Sequence, residues 1–108
     1  MKHKLNDIMQ NITYDNTEIL KLFKNPEVYL KDKDIEFNQG IGISCLKNLL
    51  IKSFPNKNIN ELRNIVEHLI QLDLIDCPSL ETNMTLNGVL SSRTTRLGED
   101  ILEYIDTM

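Results

Sequence analysis

Glycine and proline are scarce in this chain, four and three among 108 residues, and no stretch repeats another or is of low complexity. That excludes a linker-rich or fibrous protein and leaves one domain, 1–108, able to bury about 60–70% of its unfolded surface in a single core. Cysteine is scarcer still. Cys45 and Cys77, in a chain with no signal peptide, read as free thiols in a reducing compartment, so a cytoplasmic location is expected. No apolar run approaches the roughly 20 residues that span a bilayer, which removes a membrane from the expected partners. Cations are also in short supply, 12 Lys and Arg against 16 Asp and Glu, for a net charge of -4.

The residue sets that carry chemistry are missing too. His68 and the two cysteines stand at irregular spacing and fall short of a zinc pattern. His68 flanks a helix, and nothing places a thiol beside it as a nucleophilic pair. Gly40-Ile41-Gly42 precedes a helix but lacks the third glycine and the strand context of a phosphate loop. Carboxylates are scattered over faces expected to be exposed, so no acid–base pair can be nominated. The expectation is a protein without catalysis and without a cofactor.

What the sequence does contain is concentrated between Asn58 and Ile105. Asn58 and Glu61 have the spacing of a capping box. Leu62, Ile65, Val66, Leu69 and Leu72 then recur at threes and fours, the stripe of an amphipathic helix ending near Leu72. Its outward face holds Asn60, Asn64, Glu67 and Gln71, flanked by Arg63 and His68. Leu74-Ile75-Asp76 suits a short strand, broken by Cys77-Pro78-Ser79. Next, 82–86 and 89–94 are two β-compatible runs joined by Asn87-Gly88, whose tolerance of positive φ predicts a type I′ hairpin. A last helix is expected with Thr94 or Thr95 as cap and Leu97, Ile101 and Ile105 inward.

Upstream, Ser44 is the expected cap of a helix through Ser53, with Leu46, Leu49 and Leu50 inward and a short Phe54–Lys57 turn into the next helix. Two helices so joined, the junction Leu69-Ile70-Gln71-Leu72-Asp73-Leu74-Ile75, the Asn87-Gly88 wing and Thr95-Arg96-Leu97-Gly98 together resemble the winged helix-turn-helix superfamily from about 43 to 105. Many members hold glycine where this chain has Asp73, which tolerates the left-handed conformation at some cost. The resemblance implies a mainly α fold with a small antiparallel β-hairpin (α+β), residues 43–108 forming the helix-turn-helix, wing and C-terminal helix, and 1–42 adding N-terminal helices and a linker.

Within 1–42, Leu5, Ile8, Met9 and Ile12 form a short helical stripe. By family analogy it is a candidate dimer interface, and packing on its own domain is the alternative. A second helix is expected from Asp15, with Glu18 completing a capping box, to Lys24. Asn25-Pro26 stops it and starts a further turn through Leu30. Lys31-Asp32-Lys33-Asp34 reads as a solvated loop and Ile35-Glu36-Phe37 as a short strand able to join the wing.

For function, the resemblance implies double-stranded DNA as partner. The expected contact surface is Lys57, Asn60, Arg63, Asn64, Glu67, Gln71, Arg93 and Arg96. Asn64 and Gln71 would pair with adenine edges in a major groove, Arg93 would reach backbone or minor groove from the wing, and Arg96 would meet phosphates. Charge argues against it, because DNA affinity rests on neutralising phosphates. Up to Phe54 the chain has eight Lys and seven Asp or Glu, a balance of +1; beyond it, four Lys or Arg and nine Asp or Glu give -5. The alternative is a winged helix that binds protein, for which an acidic surface is an asset toward a basic partner.

Overall fold

The computed structural model describes residues 7–37 and 43–106. It is mainly helical. A helical turn over 7–10 leads to α1 (Tyr14–Lys24) and α2 (Pro26–Asp32), then β1 (Ile43–Ser44), α3 (Leu46–Ser53), α4 (Ile59–Gln71), β2 (Met84–Thr85), the single turn α5 (Leu86–Val89) and α6 (Arg96–Asp106). Among the described residues no helix is long and apolar enough to cross a membrane.

The centre of the molecule is α1. Ile19, Leu20, Leu22 and Phe23 are fully buried, and the helix packs against α2, α4 and α6. It begins earlier than Asp15. The Asn16 amide donates to Thr13 Oγ1 and the Thr13 amide to Asn16 Oδ1, both at 3.1 Å, so the capping box is Thr13 with Asn16. Glu18, expected in that role, is instead buried and accepts from the Tyr29 hydroxyl at 3.2 Å. Asn25 caps α2 through the Val28 amide, and α2 runs to Asp32, so half of the expected charged loop is helix.

The stripe assigned to dimerisation turns inward. Ile8 is buried in the chain's own core, with Met9 and Ile12 packed against it; Leu5 and Gly40-Ile41-Gly42 lie outside the described residues. Ile35 and Phe37 also pack on the core but form no strand.

The two helices expected on either side of the Phe54–Lys57 turn are α3 and α4. Cys45, not Ser44, occupies the N-cap of α3 and makes no side-chain cap bond, while Ser44 Oγ accepts from Asn48 at 3.1 Å. The Asn58–Glu61 capping box forms, with the Glu61 amide 2.9 Å from Asn58 Oδ1. At the other end of α4 the Leu74 N–H donates to the Leu69 carbonyl at 3.0 Å and the Asp73 N–H to that of Ile70 at 2.9 Å. These are the paired bonds of a Schellman stop, with Asp73 at φ 61 in the left-handed position.

The Asn87-Gly88 hairpin does not form. Leu86–Val89 is a helical turn whose cap is Thr85, its hydroxyl accepting from the Gly88 amide at 3.2 Å. Burial decides between the two. The helical turn sinks Val89 completely and packs Leu90 on the core, and the preceding Met84–Thr85 pairs antiparallel with Ile43–Ser44, Ile43 opposite Thr85. An antiparallel bridge does join Ile75 to Thr94, flanked by the Asp76 N–H to Arg93 carbonyl bond at 2.8 Å and the Thr95 N–H to Leu74 carbonyl bond at 3.0 Å. The chain thus leaves at Ile75 and returns at Thr94, and between those points it folds back over β1 rather than projecting as a ribbon.

Thr95 is the cap of α6. Its hydroxyl donates to the Asp73 carbonyl at 2.6 Å and accepts from the Gly98 amide at 3.0 Å. Gly98 is there because α6 passes directly over Leu74, whose carbonyl occupies the space a side chain would need.

Candidate docking face

The outward side of α4 follows from its period. Burying Leu62, Val66 and Leu69 leaves Asn60, Asn64, Glu67 and Gln71 exposed, with Arg63 and His68 half-buried at the flanks. The face also carries Ile70, 42% exposed although the helix has an apolar side to offer it. Next to Ile70 lies a groove of about 280 Å³, lined by Arg63, Val66, Glu67 and Ile70 of α4 and by Cys77 and Leu80 of the returning chain. It combines an apolar wall with charges of both signs.

The cations nominated for phosphate contact are mostly engaged. Lys57 Nζ is 2.7 Å from Asp15 Oδ2 at the start of α1, and that hydrogen bond raises the ammonium pKa above its usual value. Arg63 pairs with Glu81, tying α4 to the segment beyond the groove. Arg93 points inward: its Nη2 donates to the Gly88 carbonyl at 2.8 Å and contacts Met84 Sδ at 3.4 Å, while Nε is buried without a partner among the described residues. Arg96 is exposed and makes no ion pair with another described residue.

Asn60, Asn64 and Gln71 therefore lie on one helix face, whereas Arg93 belongs to the support of α5. The partners Asp15 and Glu81 were not legible in the sequence. No local spacing links Asp15 to Lys57, 42 positions away, or Glu81 to Arg63.

Nucleophilic chemistry has little support on this face. Burial pushes the Cys77 thiol up to about 11, nearby Arg93 opposing the shift only in part, and Cys77 Sγ donates to the Pro78 carbonyl at 3.3 Å. A protonated thiol is a poor nucleophile. Among the described residues no cluster of His, Cys, Asp and Glu has the makings of a metal site. No family model, curated protein or solved structure matches the chain.

Proposed function

We propose that the chain is a non-catalytic binding module that docks a protein partner through the exposed face of α4 and its adjoining groove. The observation that carries this reading is the engagement of the cations. With Lys57 held by Asp15, Arg63 by Glu81 and Arg93 turned into the fold, the face offers amides, Ile70 and Glu67 rather than a basic surface. Phosphate neutralisation, the main source of DNA affinity, would first require those pairs to open. A protein surface asks for what is there: hydrogen-bonding amides around an apolar centre. Exposed Glu61 and Glu67 on α4 suit a partner with basic groups at the rim.

A second reading, a winged-helix transcription regulator on duplex DNA, is favoured by one observation. The short turn between α3 and α4 and the row Asn60, Asn64 and Gln71 have the layout of a recognition helix.

A photo-crosslinking residue at Asn64, compared with one at Glu27 on α2, tests the proposal in cells. Nuclease-resistant protein adducts from Asn64, absent from Glu27, are expected. Adducts destroyed by nuclease, or equal yields from both sites, would overturn it.

A further inference from the structure

On the side of the molecule built by α1, α2 and α6, a cleft of about 470 Å³ opens over Glu18 and Tyr29. Its volume lies within the range of ordinary small-ligand sites. Glu18 is the unusual feature. It is a buried acid, 8% exposed, on the innermost helix. A buried carboxylate needs several donors to offset the loss of water, and this one has few good ones. The Tyr29 hydroxyl donates at 3.2 Å, and Lys21 and Lys33 stand at 3.4 and 3.6 Å.

The two lysines are held loosely. Their side chains are 44% and 49% exposed against 10% for Glu18, so acceptor and ring are fixed parts of the fold and the ammonium groups are movable. Lys33 Nζ also lies 5.6 Å from the centroid of the Tyr29 ring, within cation–π range. A fixed carboxylate beside an aromatic face is a recognition pair for an organic cation. The chain's own Lys33 occupies it.

We infer that this cleft is a binding site for an alkylammonium or alkylguanidinium group, which displaces the Lys33 ammonium from Glu18 and Tyr29. The remaining walls suit such a ligand. Val28 and Leu102 supply apolar surface for an alkyl chain, and Asp32 and Asp106 supply carboxylates for a second cationic end. An anion would be drawn to Lys21 and Lys24 but would meet these three carboxylates. Burial and the Glu18 charge together raise the Tyr29 pKa, which keeps the hydroxyl a donor to Glu18 and the ring neutral. The site is separate from the α4 face, and its occupancy does not depend on the partner proposed there.

Calorimetric titration of the full chain with agmatine, with a short arginine-containing peptide and with inorganic phosphate tests the site. Agmatine is expected to bind with one-to-one stoichiometry and to bind Lys33→Gln about ten-fold more tightly, because the resident competitor is gone. Glu18→Gln, with folding checked by circular dichroism, is expected to lose at least ten-fold, about 1.4 kcal/mol. Tighter binding of the peptide than of agmatine would assign the cation to a protein side chain, and the reverse order to a free small-molecule cation. Agmatine affinity unchanged or lower in Lys33→Gln, no agmatine binding, or binding of phosphate in its place would overturn the inference. The Lys33 variant keeps the test decisive even if Glu18→Gln fails to fold.

Discussion

Asp73 holds the left-handed position that ends α4, and an L-residue with a side chain is strained there. Asp73→Gly is therefore expected to raise unfolding stability by about 1 kcal/mol, read as a higher urea midpoint at unchanged slope. Gly98 is the opposite case. An added methyl meets the Leu74 carbonyl, so Gly98→Ala is expected to cost about 2–3 kcal/mol in the same assay. Cys77 supplies a pH test. Its thiol pKa rises from 9.0 to about 11 in the folded chain, so the unfolded chain ionises first. Stability is then full below about 9 and declines as pH climbs through about 11, a fall that Cys77→Ser should flatten in denaturation curves taken across that range. The special roles of Asp73 and Gly98 were partly legible, since both sit in the junction and helix-start runs that carry the family resemblance. The burial of Cys77 was not, because it depends on a groove assembled from distant segments.

At the scale of elements, local signals located most helices and misjudged one reversal. The periodic stripe and capping box of α4 are short-range features, and short-range features survive packing when both favour the same conformation. Asn87-Gly88 shows the contrary. Its preference for a hairpin turn is outweighed by the burial of Val89, the Thr85 cap and the Arg93 bond to the Gly88 carbonyl, none of which the dipeptide itself encodes. Gly88→Ala discriminates the two conformations. In a type I′ turn the methyl would be strained by positive φ, whereas in the helical turn its tightest contact is Met84 Cβ at 3.3 Å, with Thr85 Oγ1 and Met84 Cγ at 3.5 and 3.6 Å. A change within about 1 kcal/mol is expected, and a loss of more than about 2 kcal/mol would indicate the hairpin. Arg93→Met should lower stability, because the Gly88 carbonyl loses its 2.8 Å donor and keeps the longer bond from the Ser91 N–H at 3.3 Å.

At the scale of the whole molecule, the N-terminal helices are not an appendage to a C-terminal unit. α1 lies between α2, α4 and α6 and contributes four of the fully buried side chains, so removing residues 1–37 should abolish cooperative unfolding rather than release a smaller domain. Only a chain-wide contact pattern reveals that arrangement; the short stripes of the first 42 residues gave the helices but not their neighbours. The same holds for charge. Composition pointed to an acidic molecule, and the fold decides which cations remain available by bringing Asp15 to Lys57 and Glu81 to Arg63.

The most direct test of the account is an anisotropy titration of labelled duplexes, A/T-rich and G/C-rich, between about 50 and 200 mM salt. The account predicts affinity no tighter than about 10⁻⁶ M at the higher salt, with no preference between sequences. Sequence-dependent binding tighter than that, with a log–log salt slope of about -4 and loss on Asn64→Ala, would contradict it and make α4 a DNA-recognition helix.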